Sequence, residues 1–148
     1  MEAVKVKIVN KSENPLPAYA TPGSAGLDLR AWLPEGPVTL RPLERRLIPT
    51  GLSIELPEGY EAQIRPRSGL ALKHGISIVN APGTIDSDYR GDIGVILINL
   101  GDKDFEICSG DRICQMVVAR YSTVSFVAAE KLTESERESG GFGHTGKK

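Results

Sequence analysis

The chain has 148 residues, with 18 Lys plus Arg against 19 Asp plus Glu, two His and two Cys. So balanced a charge offers no global field to draw the chain to nucleic acid or an anionic membrane, and any anion must be held by local placement. Cys108 and Cys114 are too few for a disulfide framework, His74 and His144 add no zinc spacing, and the length suits one domain with a single core.

In chain order, MEAVKVKIVN carries no apolar leader run, and nowhere do eighteen apolar residues run together. The expectation is a soluble, cytoplasmic protein with no membrane or nucleic-acid partner, its two cysteines buried as small hydrophobes. VKVKIV (4–9) alternates with period two, as a half-buried strand does. LDLRAW (27–32), RRLIPTGLSIEL (45–56) and EAQIRP (61–66) are the next strand candidates. SGLALKHG (68–75) alone reads as helix: Ser68 can cap it, Leu70 and Leu72 supply apolar contacts, Lys73 and His74 suit its negative end, and Gly75 can close it. ISIVNA (76–81), DIGVILINL (92–100), FEICSG (105–110), ICQMVVARY (113–121) and SFVAAEKL (125–132) complete the strands, and the run VILI suggests burial on both faces. Short strands between turn signals such as LPEGP, LPEGY and NLGDKD argue for an antiparallel sandwich, jelly roll or barrel. After Leu132 the polar, glycine-rich TESERESGGFGHTGKK cannot order itself by burying apolar surface, so it should be mobile unless something binds it.

Residues 81–94, APGTIDSDYRGDIG, gather Asp86, Asp88 and Asp92. Asp86, Asp88 and Gly91 match the first, third and sixth positions of a calcium loop, but Arg90 stands where an oxygen ligand is needed and Leu97 where a bidentate Glu belongs. The calcium reading fails. If the flanking strands form a hairpin through the Asp-rich bend, it carries Asn80, Asp86 and Tyr89 around one cavity: an amide for base recognition, a carboxylate for general base work and a ring for a sugar. Asp88 and Asp92 read as turn residues with local backbone hydrogen bonds.

Four other places carry polar chemistry. Arg67, Ser68 and Gly69 lie where the helix begins, so a guanidinium, a hydroxyl and free amides can meet a phosphate there; taken alone, they read as a surface charge and a cap. Asp28 sits on an alternating strand, where solvent exposure is its simplest state. Gln115 interrupts Ile113, Met116 and Val117, and a lone amide is usually hydrogen-bonded into the fold. Gly141, Gly143 and Gly146 spell a formal G-x-G-x-x-G, but no strand precedes it and no helix follows, which excludes the dinucleotide fingerprint. What remains is backbone able to approach phosphates, with Arg137 as a charged fork and Phe142 as a stacking plane, against the alternative of a free terminus.

Taken in order, SAGLDLRA, PRSGLALKHGI, NAPGTIDSDYRGDIGVILIN, GDRICQMV and RESGGFGHTG resemble the five motifs of the dUTPase family, the deoxyuridine triphosphate nucleotidohydrolases. The resemblance runs from about residue 4 to the C-terminus. It implies an all-β, jelly-roll-like domain over residues 1–132, assembled as a homotrimer with shared active sites, and a flexible arm over 133–148 that closes over the site. It implies Mg²⁺-dependent hydrolysis of dUTP to dUMP and pyrophosphate. Asp86 corresponds to the carboxylate that orients and deprotonates the attacking water, Asn80 with the main chain around Thr84 and Ile85 to the uracil contacts, and Tyr89 to the ring under the deoxyribose. Arg67, Ser68, Gly69 and Gln115 correspond to phosphate contacts, and Asp28 to a carboxylate that reaches the metal through water. Arg137, Gly141, Phe142 and Gly143 correspond to the covering arm. Glu138 and His144 depart from the family pattern, where glycine and serine are usual. A dCTP deaminase-type relative and a nucleotide-binding β-protein without turnover are the alternatives; the glycine-rich arm and the Asp86–Tyr89 pairing favour the triphosphatase.

Overall fold

The computed structural model describes residues 1–148. Gly and Pro cut the chain into eleven short strands and one helix: β1 (Lys7–Asn10), β2 (Leu27–Arg30), β3 (Val38–Leu40), β4 (Arg45–Pro49), β5 (Leu52–Glu55), β6 (Tyr60–Arg65), α1 (Ser68–His74), β7 (Ile76–Ile78), β8 (Gly83–Ile85), β9 (Gly94–Asn99), β10 (Phe105–Ile107) and β11 (Arg112–Arg120). All pairs are antiparallel. They form a four-stranded sheet in the order β2-β11-β6-β8, a three-stranded sheet β4-β9-β7, and the pairs β1-β5 and β10-β3, an all-β, jelly-roll-like architecture.

Alternation sets the core. In β5, Leu52 and Ile54 point inward while Ser53 and Glu55 stay half-exposed; in β9, Val95, Leu97 and Asn99 are inward and Ile96 and Ile98 are only partly covered. The expected two-faced burial of VILI is therefore corrected to one buried face. Leu29, Ile48, Leu97, Ile107 and Ile113 are among the fully enclosed residues that knit the sheets together, each contributing about 1.5–3 kcal/mol by burial. Asn99 and Thr50 are the polar exceptions. Asn99 donates to the Leu40 and Lys103 carbonyls at 2.9 and 2.8 Å and accepts from the Gly101 N–H at 2.9 Å, so its burial leaves no unmet bond.

Five expectations need correction. RRLIPTGLSIEL breaks into two strands at Gly51, which takes φ 72°, beside Thr50, whose hydroxyl donates to the Ile93 carbonyl at 2.7 Å. β3 and β8 were not expected, because each is three residues long and lies within a Pro- and Gly-rich stretch that reads as turn. SFVAAEKL forms no strand: residues 121–139 are exposed throughout, and Val124, Phe126 and Val127 find no partner edge in their own chain. Cys114 is buried as expected, but Cys108 is only half-buried and donates its thiol to Glu106 Oε1. The N-cap of α1 is Arg67, without a side-chain cap bond, so Ser68 is the first helical residue and its hydroxyl is uncommitted; Gly75 closes the helix at φ 68° as expected. No helix is long and apolar enough to cross a membrane.

Candidate functional site

The chain does not run straight from β7 through a bend into β9. β7 and β9 do pair, but between them β8 leaves to pair with β6 in the other sheet. Residues 86–93 then cross from one sheet to the other. The simple hairpin of the sequence reading is thus a crossover, and its mouth is a cleft of about 200 Å³. Asn80, Thr84, Ile85, Asp86 and Tyr89 all line it, over an apolar floor that includes Ile64, Ile78 and Val95.

Within the cleft each polar group has a distinct state. The Asn80 amide lies against Gly83, where a Cβ would stand 3.3 Å from its nitrogen and 3.5 Å from the Ile64 Cβ, so a glycine lets the amide sit close to the floor. Asp86 caps a tight turn through its carbonyl, which accepts from the Tyr89 N–H at 3.1 Å, while its carboxylate is exposed and takes no ion pair or hydrogen bond. It is available for a ligand or a water. The Tyr89 phenol donates to the Asp92 carbonyl at 2.8 Å, and its ring covers Gly91 so closely that a Cβ there would fall 2.6 Å from the ring Cζ. Arg90 donates to the Ser87 and Tyr89 carbonyls at 2.7 and 3.2 Å and reaches Glu55 at 3.4 Å, which braces the whole bend.

The bend therefore does not depend on Asp88, whose exposed side chain makes no bond; the expected local hydrogen bonds belong to Arg90 instead. Asp92 behaves differently. Burial pushes its carboxyl above the ordinary value of 3.8, partly countered by the Thr50 and Gly51 backbone N–H groups and by Lys11, and it lines the cleft. Asp92 was read in the sequence only as a turn residue and Arg90 only as a misfit in a calcium loop; the structure puts Asp92 in the cleft wall and makes Arg90 the brace of the bend beside it.

A second polar group lies apart from the cleft. Asp28 on β2 receives Arg67 Nε at 3.3 Å on one oxygen and Arg112 Nη1 at 3.1 Å on the other. Gln115 on β11, in register with Asp28 and Arg65 on its two neighbours, donates to the Pro66 carbonyl at 3.0 Å and holds its oxygen against Gly26. Ser68 and Gly69 follow at the exposed start of α1. Asp28 is therefore paired, not free in solvent as its strand position alone suggested. None of Asp28, Arg67, Ser68, Gly69 or Gln115 lines the cleft.

The third group is the C-terminal stretch, a chain of turns. Ser135 and Glu138 exchange bonds, the Ser135 N–H donating to the Glu138 carboxylate at 2.6 Å and the Glu138 N–H to the Ser135 hydroxyl at 3.1 Å. Arg137 Nε donates to the Gly140 carbonyl at 2.6 Å. Glu138 and Phe142 adopt φ 47° and 51°, where side chains are disfavoured, which explains physically why a glycine suits the first of these positions. Gly143 shares the left-handed region, and the Phe142 ring is wholly exposed. No grouping of three or more His, Cys, Asp or Glu side chains is disposed to hold a metal ion.

A protein-family model described as dUTPase matches residues 12–146. The chain is 59% identical over 143 residues to a deoxyuridine 5'-triphosphate nucleotidohydrolase of Finegoldia magna, covering 97% of this chain and 99% of the relative. It is 64% identical over 132 residues to the protein of the same name from Roseobacter denitrificans, covering 89% and 87% of the two chains. In fold it is similar to the dUTPase of Staphylococcus bacteriophage 80alpha with dUpNHpp, with TM-score 0.87 and 24% identity over 96% of this chain and 98% of that one. It is also similar to a mutant dUTPase from phage phi11 of S. aureus, described for the coordination of a structural Mg(II) ion, with TM-score 0.78 and 22% identity over 88% and 99%.

Proposed function

The chain belongs to the dUTPase family, and from that premise we propose how its residues divide the work of hydrolysing dUTP to dUMP and pyrophosphate. The single observation that carries the assignment is the convergence of Asn80, Asp86 and Tyr89 on one cleft. At about 200 Å³ the cleft is below the roughly 300–1,000 Å³ of whole-ligand pockets, which suits it to the nucleoside end alone.

Asn80, with the main chain at Thr84 and Ile85, reads the uracil edge; O4 as an acceptor separates uracil from cytosine, and a close wall beside C5 excludes the thymine methyl. Tyr89 supports the deoxyribose and leaves no room for a 2′-hydroxyl. Asp86 orients a water and takes its proton as the oxygen attacks the α-phosphorus in line, the bond to the β-phosphoryl oxygen breaks and pyrophosphate leaves. Its unpaired, exposed carboxylate supports that role.

The phosphate contacts, Arg67, Ser68, Gly69 and Gln115, come to the cleft from a second copy of the chain, and Arg137, Gly141, Phe142 and Gly143 close over it as an arm formed by residues 133–148. The support is that none of them reaches the cleft in its own chain, while Phe126, Val127, Leu132 and Phe142 stand exposed as partner-seeking apolar groups. A homotrimer with shared sites is the assembly we propose. The donor set fits Mg²⁺ held by triphosphate oxygens and water, with Asp28, already shared between two guanidiniums, contributing only through water. When bound, the ion neutralises charge developing on the phosphates.

Incubation with Mg²⁺ and, separately, dUTP, dCTP, dTTP and UTP tests the assignment by pyrophosphate and ammonia release. Pyrophosphate from dUTP alone is expected; comparable turnover of dTTP or UTP would remove Asn80 and Tyr89 from their roles, and ammonia from dCTP would overturn the reaction. Asp86→Asn should keep dUTP binding and lose turnover by roughly 10²–10⁴-fold, the usual contribution of a general base.

A further inference from the structure

Arg112 is not among the residues assigned to dUTP above, yet it is the element on which Asp28 and Arg67 both depend. Its Nη1 donates to Asp28 Oδ2 at 3.1 Å, and its own carbonyl accepts from Arg67 Nη1 at 3.1 Å. Asp28 Oδ1 faces Arg67 Nε at 3.3 Å. The three residues therefore form a closed ring across β2, β11 and the entry to α1: guanidinium to carboxylate, carboxylate to guanidinium, guanidinium to carbonyl. The ring sits at an irregularity. Against β2, β11 shifts register between Arg112 and Cys114, so one extra residue, Ile113, is accommodated there, and such bulges re-aim the side chains beside them. Ile113 and Cys114 are themselves fully buried, which anchors the re-aimed Arg112 to the core.

We propose that Arg112 is a positioning residue for the phosphate end of the site: by occupying one oxygen of Asp28 and fixing Arg67 Nη1, it keeps Arg67 from closing onto Asp28 and leaves its Nη2 edge free for a phosphate. The chemical reason is geometric. An isolated Arg–carboxylate pair prefers a bidentate fork that uses two guanidinium nitrogens. Here Asp28 meets Arg67 Nε at 3.3 Å with one oxygen, while its other oxygen lies 3.1 Å from Arg112 Nη1. Without Arg112, Asp28 is free to draw Arg67 into the fork, and the edge that would meet a phosphate turns inward. The substitution Arg112→Lys returns a positive charge to Asp28 but not the planar donor, so it should restore part of the effect. The proposal rests on Arg67 being a phosphate contact.

The test is a double-mutant cycle on dUTP hydrolysis with Arg112→Gln, Arg67→Gln, the double variant and Arg112→Lys, together with the ¹⁵N resonance of the Arg67 Nε–H in the wild-type and Arg112→Gln proteins. Arg112→Gln should raise the KM for dUTP by about tenfold, the scale of one charge-assisted contact, with a smaller change in kcat. In the Arg67→Gln background it should add little, because both act through one guanidinium. Arg112→Lys should recover part of the loss, and the Arg67 Nε–H resonance should move in Arg112→Gln without added nucleotide. Multiplicative effects in the cycle, or an unmoved Arg67 resonance, overturn the proposal; so does a lowered melting temperature with unchanged KM. A shifted Arg67 resonance in a protein that releases no pyrophosphate from dUTP keeps the ring and refutes the dUTPase reading instead.

Discussion

Gly91→Ala separates the geometry of the proposed sugar platform, Tyr89, from the stability of the fold. A Cβ at position 91 falls 2.6 Å from Tyr89 Cζ and 3.0 Å from Cε1, with the phenol oxygen closer still, so the ring must retreat by roughly an ångström to restore ordinary contact. Tyr89 is 46% exposed and has space to swing outward. The retreat breaks the Tyr89–Asp92 hydrogen bond, which at an exposed site is worth about 0.5–1.5 kcal/mol. Against that, Gly91 is outside the left-handed region, and replacing a glycine there stabilises by about 0.4–1 kcal/mol through the unfolded chain. The two nearly cancel. The melting temperature should shift by no more than about 2–4 °C, the scale of 1 kcal/mol in a domain of this size. Catalysis should not be spared, since an ångström of misplacement in a substrate support costs up to ~10²-fold. Thermal unfolding with steady-state kinetics on dUTP and UTP reads both quantities: KM for dUTP should rise and preference over UTP should fall while the melting temperature holds. Unchanged dUTP kinetics with unchanged preference would refute the role given to the Tyr89 ring.

Asp92→Asn tests linkage in the cleft. The folded carboxyl is raised above 3.8, so its contribution to stability is present at low pH and declines as pH rises through the folded value; urea titrations from ~pH 4 to 7 should show the variant gaining on wild type as pH rises, and a constant difference would contradict it. Cys114 is buried with its thiol pushed up to about 12, and Cys108 is raised by its hydrogen bond to Glu106, so alkylation at ~pH 8 should be slow at Cys108 and absent at Cys114 until denaturant is added. Truncation after Leu132 removes no core residue, so it should abolish dUTP turnover while thermal unfolding stays put; a lost transition would show that the stretch holds the fold. Sedimentation should report three copies of the 16.0 kDa chain, and a stable monomer would remove the second-copy phosphate site.

How far the sequence could be read depended on the range of the interaction. Period-two alternation located β1, whose alternate residues are half-buried, strand-rich runs between turn signals located β6 and β11, and Gly75 marked the end of α1 because a left-handed residue fits there. β3 and β8 lie within Pro- and Gly-rich stretches that read as turn, whereas β7 and β10, equally short, sit within longer strand-like runs. SFVAAEKL carries the right pattern but not the partner edge, and pattern alone cannot say whether a strand's partner lies in the same chain. Site residues followed the same rule. The expectation that Asn80, Asp86 and Tyr89 share one cavity could be formed because they sit close together in sequence around one bend. Arg112 and Asp28 are 84 positions apart, and their pairing exists only through the register of β11 on β2.

That contrast explains why the Asp-rich stretch misleads when read alone. Asp86, Asp88 and Asp92 fall within seven positions, yet the chain changes sheets between the first and the last, so they face different surroundings. Asp86 ends up exposed and unpaired at the mouth, Asp88 makes no bond, and Asp92 is partly desolvated beside the Thr50–Gly51 corner. Three like charges on a common loop would favour a divalent cation; separated by a crossover they cannot converge on one. The cation that organises the bend is covalently present as Arg90, whose guanidinium binds two carbonyls of the turn and ties it to β5. A bend braced from within leaves the carboxylate of Asp86 unpaired at the cleft, and that is the physical ground for proposing it as the group that activates water.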